Sequence, residues 1–158
     1  RSIEPAPSGF LPLQWGNGIK GHSYGFDAWG DVRVTDWWRL KPGYSLLIQK
    51  FRFRPDASGL VGISQIGNDP KHRASIRSSM DIGPRINVDA DLRYVSHLPN
   101  PRVEGYVELG ARVAWRFLEE AELSVSGFNL LHKKHYELPA TQASAAARSV
   151  YVALKWHI

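Results

Sequence analysis

The chain closes with Arg148-Ser-Val-Tyr-Val-Ala-Leu-Lys-Trp-His-Ile158, and this stretch decides its fold. Apolar side chains at Val150, Val152, Leu154, Trp156 and Ile158 alternate with mostly polar ones. Because successive side chains of a strand point to opposite faces, one face of this segment is continuously apolar. A soluble protein seldom leaves such a strand at its terminus, where an exposed edge promotes aggregation. A membrane β-barrel needs one, because its closing strand faces lipid.

Composition narrows the possible classes of protein. The chain has 158 residues, enough for one domain, with no cysteine and a formal net charge of +5. No apolar run approaches the roughly 18 residues of a transmembrane helix, and the lack of cysteine excludes disulfides and zinc–thiolate sites. Lys and Arg are spread along the chain and form no basic block, so we expect no nucleic-acid partner. The start at Arg1, without methionine or signal peptide, is expected of a mature or truncated product.

The same alternation recurs in earlier segments of the chain. With the terminal segment they make about seven predicted strands, whose β-branched and aromatic content fits strands better than helices. The six earlier strands are predicted over 23–34, 38–49, 73–82, 86–95, 107–117 and 121–131. The predicted fold class is all-β, an antiparallel up-and-down meander of about seven strands that forms part of a transmembrane β-barrel.

The connections between these strands alternate in length. Short ones are predicted at 35–37, 83–85 and 118–120, and long ones at about 52–70, 98–104 and 132–146. Outer-membrane barrels have this pattern, with tight periplasmic turns and longer extracellular loops. On that interpretation an aromatic girdle gathers near the periplasmic rim, formed by Trp37, Trp38, Trp115, Phe117 and Trp156.

A soluble barrel or sandwich with its apolar face inward would show the same alternation. Three features favour the membrane barrel instead. The polar faces mix opposite charges with Gly and Ser, as a wet lumen would; the aromatics gather at one set of strand ends; and the short turns all fall on one edge.

Several motifs resemble those of the C-terminal end of TonB-dependent outer-membrane receptors, in the family's order and over nearly the whole chain. They are Gly18-Ile-Lys-Gly-His-Ser-Tyr-Gly-Phe-Asp27, Thr35-Asp-Trp-Trp-Arg-Leu40, Asn68-Asp-Pro-Lys-His72, Glu122-Leu-Ser-Val-Ser-Gly-Phe-Asn-Leu-Leu131 and the closing strand. The chain departs from the family at Ile158, where a Phe is usual, and in having about seven strands instead of twenty-two and no plug.

The resemblance implies a location, partners and domain boundaries. Residues 1–17 would be an extracellular loop or the end of a preceding strand, and residues 18–158 the C-terminal barrel segment, with the N-terminal plug and earlier strands absent. The location would be the outer membrane of a Gram-negative bacterium. The implied partners are outer-membrane lipid, the missing plug and strands, TonB acting through that plug, the barrel-assembly machinery, and a small ligand such as an iron complex. The assembly strand would present Tyr151, Leu154, Trp156 and Ile158.

Charged residues on the polar faces are the candidate functional residues. They are Arg39, Lys41, Arg73, Arg77, Arg93, Arg112 and Arg116, beside Asp89, Asp91 and Glu108. In one interpretation these charges pair with one another and with a plug, which is ordinary barrel anatomy. In the other they form a basic wall that helps an anionic ligand, such as a ferric siderophore, through the barrel. The long connection 52–70, with Gly59, Gly62 and Gly67, would help capture the ligand from outside.

No spaced catalytic motif is present, so we expect no enzyme and no cofactor. His132-Lys-Lys-His135 has the spacing of a metal-binding pair, but its two lysines would repel a cation and no third ligand is near in sequence. We therefore predict no metal site.

The leading hypothesis is the C-terminal barrel part of a TonB-dependent transporter for a scarce solute, most often an iron complex. One alternative is a self-contained eight-stranded outer-membrane barrel with a structural or adhesion role. It would need a further strand from residues 1–15, where Pro5, Pro7 and Pro12 are unfavourable. The other alternative is a soluble, lipocalin-like binding barrel.

Overall fold

The computed structural model describes residues 2–5, 13–55, 57, 68–99, 102–135 and 146–156. Every regular element in these ranges is a β-strand. In chain order the strands are β1 (Ser2–Pro5), β2 (Leu13–Gly16), β3 (Ile19–Trp29), β4 (Val32–Arg33), β5 (Trp38–Phe53), β6 (His72–Ile82), β7 (Ile86–Val95), β8 (Leu98–Pro99), β9 (Arg102–Val103), β10 (Tyr106–Arg116), β11 (Ala121–Phe128), β12 (Lys134–His135), β13 (Ala146–Ala147) and β14 (Ser149–Trp156). Within the described ranges we find no helix with the length and apolarity to cross a membrane.

Seven of these strands form one antiparallel sheet. Its order is β14-β11-β10-β7-β6-β5-β3, and the short β4 pairs with the beginning of β5. The remaining strands form three small hairpins, β1 with β2, β8 with β9 and β12 with β13. Each long strand therefore lies beside its neighbours in the chain, which confirms the predicted all-β antiparallel meander.

Strand ends differ from the prediction at several places, and three of the differences have a local reason. The strand predicted over 23–34 is split into β3 and β4 because Gly30 lies opposite Pro42, which accepts the Gly30 N–H at 3.0 Å but has no N–H to return. β5 continues to Phe53 because Ile19 and Phe53 still pair. β11 ends at Phe128 because Asn129 takes the left-handed conformation, with φ 52°.

The strand register places apolar side chains opposite one another throughout the sheet. Examples are Tyr24 with Ile48, Ile76 with Leu92, Val88 with Val113 and Val125 with Val152. A slip of one residue would move the apolar row of one strand to the polar face, so the pattern favours this register. The sheet has one continuous apolar face and one polar face as a result.

The apolar face has almost no protein packed against it. The buried apolar residues among those described are Val103, Ala114 and Ala121, all of them small or medium-sized. By contrast, Phe26 is 58% exposed, Leu154 63% and Val152 68%. A soluble barrel would place this face in its interior, where such side chains are buried. This sheet leaves it bare.

Aromatic side chains gather at the end of the sheet where the short connections lie. Trp37 and Trp38 stack with ring centroids 6.2 Å apart, and Trp115 lies 5.7 Å from Phe117. Trp156 is opposite Ala121, directly after the short connection 118–120. The predicted girdle residues therefore share one end of the sheet.

Candidate functional site

All ten charged candidates lie on the polar face of the main sheet. The register pairs Arg77 with Asp91, Arg93 with Glu108 and Arg112 with Asp89 across neighbouring strands. An open pocket of about 800 Å³ lies on this face. Seven candidates line that pocket, namely Lys41, Arg77, Asp89, Asp91, Arg93, Glu108 and Arg112. Arg39, Arg73 and Arg116 lie on the same face outside it.

Arg112 is the centre of the tightest charge network on this face. Its Nη2 lies 2.7 Å from Glu122 Oε1 and its Nη1 lies 3.7 Å from Asp89 Oδ2. The Ser79 hydroxyl donates to Asp89 at 2.8 Å, so the network links β6, β7, β10 and β11. Glu122 was not among the predicted site residues, although its position on the polar side of β11 could have indicated it.

Four further cations of the polar face are also paired. Arg93 Nε donates to Glu108 at 3.1 Å, and the Arg77 guanidinium lies 3.5 Å from Asp91. Lys41 lies 3.6 Å from Asp31. Asp31 also lies 3.5 Å from Arg39, so this second unpredicted carboxylate serves two cations. Most of the polar face is thus satisfied by cross-strand pairing, which the first of the two sequence interpretations predicts.

A second pocket lies on the polar face toward the long connections. It has a volume of about 620 Å³, and its lining includes Asp27, Trp29, Arg73, Arg93 and Tyr106. The Arg93 guanidinium lies 5.5 Å from the centroid of the Tyr106 ring, within cation–π range. Trp29 is 84% exposed although it faces the polar side. Arg73 makes no ion pair with any residue in the described ranges, and the carboxylate of Asp27 lines the same pocket.

Sequence reasoning missed two aromatic rings of this pocket that stand on the polar face. Trp29 and Tyr106 stand at polar-face positions of β3 and β10, where Trp29 lies opposite Gly43 and Tyr106 opposite Val95. The sequence could have indicated them, because each is an aromatic residue at a polar-face position of an alternating strand. Together with Arg73 and Arg93, these rings give the second pocket an aromatic and cationic lining.

The assembly-strand residues divide between the two faces of β14. Leu154 pairs with Leu123 and Trp156 with Ala121 on the apolar face. Tyr151 is on the polar face, where its ring meets the Phe128 ring edge-on at 5.8 Å. Ile158 lies outside the described residues, as do Gly59, Gly62 and Gly67 of the long connection.

Each outermost strand of the sheet has a partner on one side. In the described part of the chain β14 pairs with β11 alone and β3 with β5 alone. Both edges therefore present unpaired backbone donors and acceptors. The described residues hold no group of three His, Asp or Glu side chains placed to bind a metal ion.

The sequence matches no protein-family model and no curated protein. Its fold matches solved receptor structures. The ferric-catecholate import receptor Fiu from Escherichia coli K12 aligns with a TM-score of 0.70 at 16% identity, covering 99% of this chain and 23% of that one. The ferripyoverdine receptor of the Pseudomonas aeruginosa outer membrane aligns with a TM-score of 0.68 at 18% identity, covering 96% and 21%. A chain of the FpvAI–pyocin S2 complex gives 0.69 at 17%, covering 87% and 19%.

These alignments confirm the resemblance of the chain to TonB-dependent receptors at the level of the fold. The chain spans about a fifth of the length of the structures it matches. The likeness therefore corresponds to one part of a larger barrel.

Proposed function

We propose that this chain is the C-terminal part of the barrel of a TonB-dependent outer-membrane transporter, and that the transported solute is anionic, with a ferric siderophore as the first candidate. The observation that carries the proposal is the contrast, on one sheet, between a bare apolar face and a face of paired charges. A barrel wall between lipid and a wet lumen requires this combination.

The apolar face supports a location in the outer membrane. Side chains such as Val152 and Leu154 are more than half exposed in the sheet. Lipid acyl chains would cover them without any further protein packed against this face. With the short connections at the periplasmic side, the aromatic girdle lies in the inner headgroup layer, and the second pocket opens outward. The soluble, lipocalin-like alternative is less well supported, because it would bury this face.

The two open edges support a larger barrel. Backbone groups cannot stay unpaired in hydrocarbon, so β3 and β14 need partner strands. The self-contained eight-stranded barrel is less well supported, because the additional strands β1 and β2 pair with each other and with no strand of the main sheet. We propose that further strands and a plug, supplied by the rest of the protein, complete the barrel and carry the contact with TonB.

The second pocket is the proposed point of ligand contact in this chain. Arg73, which has no ion-pair partner among the residues that the structure describes, offers a cation, and Trp29 and Tyr106 offer flat apolar surfaces beside it. An anionic complex with aromatic groups would meet a charge and stacking partners together. The ion pairs nearer the short connections, from Arg93–Glu108 to Arg112–Glu122, would link neighbouring strands and keep the lumenal surface hydrated.

Uptake of a radiolabelled ferric siderophore by cells producing the full gene product tests the proposal. We expect R73E to raise the half-saturating concentration about tenfold, because an attractive charge becomes a repulsive one. R85E is the matched control, since Arg85 lies in the short connection 83–85 at the opposite end of the sheet. Equal uptake by both variants would overturn the ligand role of the pocket. A gene product without further strands would overturn the barrel itself.

A further inference from the structure

The far end of the β3–β5 ladder has a cluster of basic side chains on the apolar side of the sheet. Lys20 lies directly opposite Arg52, and His22 directly opposite Lys50. All four side chains are exposed. These positions continue the outward row of Tyr24, so they point to the same side as the apolar band. We call Lys20, His22, Lys50 and Arg52 the basic cluster.

The basic cluster differs from the other directly opposed basic pairs of the sheet. Like charges directly opposite each other destabilise a ladder unless a counter-charge is near. In the pair Lys41 with Arg77, Asp31 and Asp91 supply it at 3.6 and 3.5 Å.

The pair Arg33 with Arg39 is compensated in the same way, by Asp36 at 3.9 Å and Asp31 at 3.5 Å. Within the described ranges, no carboxylate forms an ion pair with Lys20, Lys50 or Arg52. Positive charge is thus concentrated here, and the part of the chain that the structure describes supplies no ion-pair partner for Lys20, Lys50 or Arg52.

The position of the basic cluster along β5 places it at the edge of the apolar band. The outward row of β5 is apolar from Trp38 to Ile48 and becomes basic at Lys50. Ten residue steps at about 3.4 Å, on a strand tilted by about 40°, span about 26 Å, which matches the apolar band of about 25 Å on outer-membrane barrels. Lys50 and Arg52 therefore begin where the lipid headgroups begin, at the end opposite the aromatic girdle. The His22 ring stacks on the Tyr24 ring at 6.2 Å, at the level where aromatic side chains favour the interface.

We propose that the basic cluster binds the phosphate-bearing headgroup of a lipid in the leaflet on the side of the long connections. The inference rests on the proposed membrane location. An arginine fork and two ammonium groups suit phosphate oxygens, and the bound anion relieves the repulsion between the paired cations. The ligand is a lipid and not free phosphate because the apolar row of Ile48 and Leu46 runs directly below, where acyl chains would lie.

Lipid preference of the full gene product tests the inference. The protein is purified in zwitterionic detergent and incorporated into nanodiscs of phosphatidylcholine, with or without phosphatidic acid, and lipid retention is measured by native mass spectrometry. Each basic residue near an anionic lipid surface contributes roughly a fivefold preference, so we expect K50Q/R52Q to lower the preference for phosphatidic acid about 30-fold. K50Q alone should lower it about fivefold.

The matched control is R33Q/R85Q, which removes two cations at the opposite end of the sheet. It should keep the wild-type preference within about twofold. An unchanged preference in K50Q/R52Q, or an equal loss in the control, overturns the inference. Displacement of the lipid by an equal concentration of inorganic phosphate also overturns it, because the site would then serve free anions. Failure to enter phosphatidylcholine nanodiscs overturns the membrane location itself, and so separates the two proposals.

Discussion

The two faces of the main sheet obtain their stability from different sources. On the polar face, charges are satisfied inside the protein, as in the links from Arg112 to Glu122 and Asp89. On the apolar face, side chains such as Val125 and Val152 pair across strands but remain largely exposed. The polar face therefore makes its ion pairs and hydrogen bonds within the sheet. The apolar face needs contacts from outside the sheet to bury its side chains. The same substitution should thus change the free energy of unfolding by very different amounts at adjacent residues of one strand.

The largest effect is expected for a charge placed in the middle of the apolar face. V125R puts a guanidinium where lipid is proposed to lie, and we expect a loss of about 2–4 kcal/mol in the free energy of unfolding. The measurement is urea unfolding of the full gene product in lipid vesicles.

S124R is the matched control, because Ser124 precedes Val125 and faces the polar side opposite Ala153. We expect it to change the free energy of unfolding by less than about 1 kcal/mol. Equal losses in the two variants would show that the faces do not differ in their surroundings.

A smaller effect is expected at Asn129, the residue directly after the end of β11. This residue is 2% exposed, donates from Nδ2 to the Ala146 carbonyl at 2.8 Å, and has a positive φ. N129A removes the hydrogen bond and strains the backbone, so we expect a loss of about 2 kcal/mol.

N129G keeps the backbone conformation and removes only the side chain. Its expected loss is about 1 kcal/mol, measured by the same unfolding experiment. If N129G were as destabilising as N129A, the left-handed conformation would contribute nothing to the end of β11.

The smallest effect is expected on the polar face itself. R112A removes both contacts of the guanidinium and leaves Asp89 and Glu122 as neighbours, and we expect a loss of about 1 kcal/mol because the group is partly exposed to screening water. Arg116 forms no ion pair with a described residue, so R116A should change stability by less than about 0.3 kcal/mol. A double-mutant cycle of R112A with E122A measures the coupling. A coupling of zero would contradict the network.

The sequence was sufficient for the strands and their faces because a period of two is a local property. Once turn lengths fix the register, each apolar row must meet its neighbour, as Ile76 meets Leu92. Local pattern did not predict that Pro42 would interrupt β3, because this depends on which residue lies opposite. The partners Asp31 and Glu122 were missed for the same reason, since ion pairs form across strands and diagonally between them.

The sequence did not predict the second pocket, because the residues that line it are far apart in the sequence. Trp29, Arg73 and Tyr106 come from three strands, and each residue alone is unremarkable in its segment. The roles of Ile158 and of the glycines in the long connection stay predictions, because these residues lie outside the described part of the chain.

The meander order has a consequence for how the sheet forms. Each strand of the main sheet pairs with the next long strand in the chain, so the contacts have low contact order. Hairpins such as β6–β7, closed by a three-residue turn at 83–85, pay little loop-closure entropy. Growth by successive hairpins is therefore rapid until only the edges β3 and β14 remain. In the proposed barrel, joining those edges to strands far away in the chain would be the slow event, and it would determine when the wall becomes a closed pore.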